Sequence, residues 1–125
     1  MATSTIKTPQ SNIQIASLNV PSTYTLGTAT IEFHKKHGIV HCYWKGSVPK
    51  FPEGGTAYEI GTAPVGFRPK DDMLVYGVDM TSFQKGLYFR IATTGKITLY
   101  GYNTGTSENF VNVAPQMVYM VDDSV

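Results

Sequence analysis

Apolar side chains recur at every second position along most of the chain, a spacing that predicts strands rather than helices. Residues Asn12 to Val20 alternate Ile13 and Ile15 with Gln14 and Ala16, and Pro21-Ser22 reads as a turn before Tyr24 to Leu26. Two alternating runs, Thr28 to His34 and Ile39 to Lys45, flank Lys35-Lys36-His37-Gly38 and predict a hairpin. With that four-residue connection closed by His34 opposite Ile39, Phe33 faces Val40, Ile31 faces Cys42 and Ala29 faces Trp44 on a core side. Thr30, Glu32, His34, His41 and Tyr43 then share the outer side.

Gly46 to Gly55 holds Pro49, Pro52 and Gly54-Gly55 and reads as a loop, followed by a short strand from Thr56 to Gly61. In Met73 to Met80 both alternating sets are largely apolar, which predicts a strand covered on both faces, central in its sheet. A second hairpin spans Gly86 to Tyr102 around Thr93-Thr94-Gly95, with glycine where a left-handed residue is required. Its register sets Phe89 against Leu99 and Ile91 against Ile97 inside. Tyr88, Arg90, Lys96, Thr98, Tyr100 and Tyr102 fall outside. Asn103 to Asn109 is a polar loop, and Phe110 to Val113 and Gln116 to Val121 are the last predicted strands.

No 3.6-residue apolar stripe of helical length occurs. The expectation is an all-β fold, an antiparallel β-sandwich or jelly roll of about eight to ten short strands. Residues 1–11 are polar, include Pro9 and predict a flexible or extended arm, leaving 12–125 as a single β-sandwich domain. At 125 residues the chain can bury a core without cross-links.

Charge narrows the partners. Ten Lys and Arg balance nine Asp and Glu, giving a net charge of +1 with no basic tract, which disfavours nucleic acid. Cys42 is the only cysteine, so no intrachain disulfide is expected. The N-terminus lacks a secretory pattern and no segment approaches the ~18 apolar residues of a membrane span. Synthesis in a cytoplasm, no membrane insertion, and release by lysis or within an assembled particle are the expectations.

Catalytic motifs are absent: no phosphate-binding glycine loop, no Gly-x-Ser-x-Gly, no His-Glu-x-x-His and no cysteine pair at zinc spacing. The expectation is therefore a protein that is not an enzyme and needs no cofactor. Asp71-Asp72 and Asp122-Asp123 are neighbours that would point to opposite faces of a strand, and read as solvated loop carboxylates. His34, His37 and His41 with Glu32 could hold a divalent transition metal and, as a third reading, make a metal-dependent enzyme. Their spacing matches no metal pattern, so a polar outer face with no metal is expected. Cys42 points inward and reads as a small core residue. The tyrosine-bearing outer face of the second hairpin admits sugar stacking, a subunit contact or a further layer of intrachain packing. Tyr88, Arg90, Tyr100 and Tyr102, with Asn103 and Glu108 of the adjoining loop, are the candidate ligand-binding residues.

Four motifs occur in one order: Phe33-His34-Lys35-Lys36-His37-Gly38-Ile39-Val40, the crossover Gly61-Thr62-Ala63-Pro64-Val65-Gly66-Phe67-Arg68-Pro69, Ile91-Ala92-Thr93-Thr94-Gly95-Lys96-Ile97, and Met117-Val118-Tyr119-Met120-Val121. From Phe33 onward this order resembles the C-terminal head domains of phage tail-fibre and receptor-binding proteins. The resemblance implies a β-sandwich head without catalysis, often a homotrimer, that contacts bacterial surface saccharide and other tail or baseplate subunits in a virion tail. A structural tail or baseplate subunit without a ligand of its own is the alternative. This chain departs from the pattern in lacking a recognisable particle-attachment region and trimeric neck. The crossover, with its prolines and Gly66, is expected to be structural, turning the chain between sheets, with Arg68 tying the corner to a carboxylate or a carbonyl.

Overall fold

The computed structural model describes residues 13–49, 57–78, 85–103 and 115–121, the side chains at 77, 78, 85, 86 and 101–103 excepted. The expected 1–11 arm, the Phe110 to Val113 strand and Asp122-Asp123 lie outside the described residues. Among the described residues eight strands run β1 (Gln14–Asn19), β2 (Ala29–Lys36), β3 (Ile39–Gly46), β4 (Ala57–Thr62), β5 (Met73–Val78), β6 (Lys85–Ile91), β7 (Lys96–Asn103) and β8 (Gln116–Met120). A 3-10 turn at Ser22–Tyr24 lies between β1 and β2. The strands form two antiparallel four-stranded sheets, ordered β1-β2-β3-β8 and β4-β7-β6-β5. This is the all-β sandwich that the alternating pattern predicts. No helix among the described residues is long and apolar enough to cross a membrane.

The core lies between the sheets. Ile31, Phe33, Val40, Cys42 and Trp44 from the first sheet and Ile60, Leu87, Phe89, Ile91, Ile97 and Leu99 from the second are buried together. They leave water through period-two alternation, although Thr98 between Ile97 and Leu99 is buried as well. Where the chain needs a close approach it carries glycine: a Cβ on Gly61 would stand 3.0 Å from Leu18 Cδ2 of β1.

The β6-β7 hairpin has the predicted register, Phe89 opposite Leu99 and Ile91 opposite Ile97, with Gly95 at φ 92° in the loop. The β2-β3 hairpin does not. Lys36 pairs with Ile39, Phe33 with Cys42 and Ile31 with Trp44, so only His37 and Gly38 turn the chain. Both have positive φ, 54° and 76°, the backbone of a two-residue turn whose twist matches the flanking strands. The change extends the pairing at the hairpin end and moves the partners by two positions, so the inner set survives, and Lys35 joins it at 3% exposure.

Two further expectations are corrected. Among the described strands β5 stands at a sheet edge, bonded to β6 alone, and Leu74 and Tyr76 on its outer side are 57% and 45% exposed. The Ala63 to Asp72 crossover does not pass between sheets: β4 and β5 are opposite edges of one sheet, and the crossover spans the end of the sandwich. There it is ordered by many bonds. Phe67 N–H donates to Pro64 O at 3.0 Å around Gly66, whose φ is 92°. Arg68 Nε donates to the Ala63 carbonyl at 2.8 Å, the carbonyl tie that the sequence predicts. Phe67 packs near Phe33, ring centroids 6.1 Å apart, and its carbonyl accepts from Tyr119 Oη. Lys35 Nζ donates to Gly66 O at 2.7 Å and lies 5.1 Å from the Phe67 ring centroid.

Candidate functional site

Register on the β4-β7-β6-β5 sheet produces an arrangement that no single strand reveals. Tyr76 of β5 stands opposite Tyr88 of β6, and Tyr88 stands opposite Tyr100 of β7, with Ala57 of β4 ending the row. Three tyrosines thus cross three adjacent strands on the outer face, spaced by the inter-strand distance of about 4.8 Å. Tyr76 and Tyr88 lean on each other, with ring centroids 4.6 Å apart and planes at 39°. Both side chains reach solvent, Tyr76 at 45% and Tyr88 at 36% exposure.

The adjoining row contains Leu74, Arg90, Thr98 and Glu59. Arg90 Nη2 bonds Asp72 Oδ2 at 2.7 Å, and the Thr93 amide donates to Asp72 Oδ1 at 2.9 Å. The bond to Arg90, then that from Thr93, holds the Asp72 carboxyl below its ordinary value. Asp72 and next the Tyr100 hydroxyl raise the Arg90 guanidinium above its own. Lys96 Nζ reaches Glu59 Oε2 at 3.1 Å across the β4-β7 seam. Thr98 is buried on this outer face at 5% exposure, between Arg90 and Glu59 in register.

Of the sequence-predicted site residues, Tyr88, Arg90 and Tyr100 are brought together. Tyr102 and Asn103 have their backbone in β7, their side chains outside the described residues, and Glu108 lies wholly outside them. Sequence reading misses Tyr76, Leu74 and Asp72. Tyr76 and Leu74 carry a signal in the alternation of β5, which becomes legible once β5 is placed beside β6 at an edge. Asp72, one residue before β5, reads in sequence as a solvated loop carboxylate, whereas the structure engages both its oxygens with Arg90 and the Thr93 amide.

Chemically the face offers aromatic rings, hydroxyl groups and an Arg-Asp pair fixed in position. No family model matches the chain, and no curated protein matches it. The likeness to tail-fibre head domains therefore rests on the four sequence motifs.

The outer face of the β1-β2-β3-β8 sheet differs. Ile15, His34, His41 and Val118 form one row and Lys36, Ile39 and Met120 the next, at the hairpin end. Ile15, Val118 and Met120 are each more than half exposed. The following row, Ser17, Glu32, Tyr43 and Gln116, is polar. The His34, His41 and Glu32 side chains share this face as predicted, but His41 Nε2 is engaged with Gln116 Oε1 at 2.9 Å. Among the described residues no three His, Cys, Asp or Glu side chains gather as a metal site. The bond from His34 lowers the Glu32 carboxyl below its ordinary value, with Lys45 and Tyr43 adding to it against the cost of burial. Cys42 is fully buried, and burial pushes its thiol up to about 12, which leaves it a packing residue.

Proposed function

We propose that the protein is a non-enzymatic phage or prophage tail-associated domain that binds bacterial surface carbohydrate through the outer face of the β4-β7-β6-β5 sheet. The observation that supports this reading is the row Tyr76-Tyr88-Tyr100 beside the Arg90–Asp72 pair. Aromatic rings offer apolar contact to the C–H groups of a sugar ring, while tyrosine hydroxyls exchange hydrogen bonds with its hydroxyls. The ion pair presents a donor and an acceptor already held in place, so little ordering cost falls on binding. A glycan array of bacterial saccharides tests it. The wild type is expected to bind a defined subset, and Tyr88→Ala and Tyr100→Ala to lose that binding while circular dichroism shows both variants folded. Absence of binding across the array, or binding that survives both substitutions, counts against it.

A second reading is a tail or baseplate assembly subunit without its own ligand, and a specific observation favours it. Ile15, Ile39, Val118 and Met120 are exposed on the opposite outer face at 63%, 48%, 60% and 62%. Apolar groups grouped in this way are typical of contact surfaces. Light scattering decides between them: a trimer that Val118→Asp converts to monomer, with no glycan bound, supports assembly.

A further inference from the structure

Three donor atoms converge on the polar part of the β1-β2-β3-β8 outer face. Glu32 and Tyr43 are cross-strand partners, and His34 follows Glu32 on the same side of β2. His34 Nε2 lies 3.3 Å from Glu32 Oε1, Tyr43 Oη lies 3.4 Å from the same oxygen, and Tyr43 Oη lies 3.4 Å from His34 Nε2. The atoms make a nearly equilateral triangle.

As hydrogen bonds all three edges are long, since N–H···O contacts cluster at about 2.9–3.0 Å and O–H···O contacts at about 2.7–2.8 Å. As edges of a coordination polyhedron they are the right length. Nitrogen and oxygen donors sit roughly 2.0–2.2 Å from Zn²⁺, and two donors at tetrahedral corners stand about 1.6 times that distance apart, roughly 3.3–3.6 Å. One imidazole nitrogen, one carboxylate oxygen and one phenol oxygen suit an ion of borderline softness.

The surroundings hold the donors in place. The His41 ring stacks on Tyr43, centroids 5.1 Å apart at 30°, and is itself tied to Gln116. Ser17 Oγ at 3.5 Å and Lys45 Nζ at 3.8 Å engage the other carboxylate oxygen of Glu32, leaving Oε1 to the triangle. Such outer partners orient ligands in metal sites generally. Lys45 also sets a positive charge nearby, which opposes a cation.

We propose that Glu32, His34 and Tyr43 form a three-donor site for one divalent ion of the Zn²⁺ class, with the fourth, outward corner left to water. A tyrosine completes the set where a third histidine or acid would ordinarily be sought. This differs from the histidine pair suggested by sequence, because His41 supports Tyr43 and is not a ligand. The site is on the opposite sheet from the tyrosine row and is independent of carbohydrate binding.

Calorimetric titration of the untagged chain with ZnCl₂, and visible spectra with Co²⁺ in its place, test the assignment. One ion per chain and the intense bands of tetrahedral Co²⁺ are expected. Glu32→Gln and His34→Ala should each weaken Zn²⁺ binding about ten-fold or more, and Tyr43→Phe should weaken it several-fold and abolish the tetrahedral bands. Lys45→Met should tighten it. His41→Phe, which keeps a ring against Tyr43 but loses the tie to Gln116, should weaken binding less than Glu32→Gln does. These positions are on the sheet surface, and unchanged circular dichroism establishes that each variant is folded. No saturable binding by the wild type overturns the proposal, as does binding that survives both Glu32→Gln and Tyr43→Phe, or that is lost in His41→Phe.

Discussion

Lys35 Nζ and the Gly66 carbonyl meet at 2.7 Å at the end of the sandwich, joining the first hairpin to the crossover between β4 and β5. Lys35 is 3% exposed, and this carbonyl and the adjacent Phe67 ring are among the groups that meet its ammonium in place of water. Replacing it with Met keeps most of the aliphatic stem but removes the donor. Lys35→Met is expected to lower stability by about 1–3 kcal/mol, a melting temperature lower by roughly 3–10 °C. An unchanged thermal transition would show that the contact contributes nothing net.

Gly95 occupies a left-handed conformation, φ 92°, at the tip of the β6-β7 hairpin. A Cβ there would fall 2.6 Å from Arg68 Nε and 3.0 Å from the Ala63 carbonyl oxygen, which Arg68 itself bonds. Gly95→Ala therefore meets both a backbone penalty and a clash with the crossover. A loss of about 2 kcal/mol or more is expected in denaturant unfolding. A loss below about 0.5 kcal/mol would mean that hairpin and crossover separate freely.

The Asp72–Arg90 pair gives a pH dependence of defined sign. Asp72 has its folded-state pKa lowered from an ordinary 3.8, first by Arg90 and then by the Thr93 amide. A lowered folded value means that the contribution is fully present above the unfolded pKa and is lost as pH falls through the folded one. The melting temperatures of wild type and Asp72→Asn should differ by a constant amount from about pH 5 to 8 and converge below about pH 4. Both partners are about half exposed, at 40% for Arg90 and 50% for Asp72, so added salt should shrink the difference. A difference that persists undiminished at about pH 2 would locate the effect elsewhere.

Cys42 should be unreactive in the folded protein. It is wholly buried and its thiol is pushed up to about 12 by burial, so almost no thiolate exists at about pH 8. A colorimetric thiol reagent is expected to label no cysteine in native buffer and one per chain in guanidinium chloride. Prompt native labelling would require that the core open readily at β3.

How much of this is legible in the sequence depends on whether the signal is local. The β6-β7 register follows from Gly95 and the alternation on each side, which also put Tyr88, Arg90 and Tyr100 on one face. The β2-β3 register is less legible because His37, not the asparagine or glycine usual at such a position, takes the first positive φ, which leaves Gly38 as the local mark of the turn. The inner face is predicted correctly all the same, since a shift of two positions preserves alternation. What depends on sheet order is not legible. The apolar character of both faces of β5 suggests a central strand, and its true place at an edge is what aligns Tyr76 with Tyr88. Lys35 reads as a turn residue in sequence, and its contacts with the crossover, to Gly66 and Phe67, form across a distance in the chain that no local pattern signals.

The placement of β8 bears on how the chain reaches this fold. β3 acquires its second neighbour only when Met120 pairs with Ile39 and Gln116 with Tyr43, long after the β2-β3 hairpin has left the ribosome. During synthesis the β3 edge stays open, with Trp44 lacking the Pro115 carbonyl that its amide bonds in the finished fold. Pairing over such sequence distances is slow, and an open strand edge is where nascent chains join one another. Lower growth temperature and slower expression should therefore raise the fraction of this protein recovered soluble after lysis.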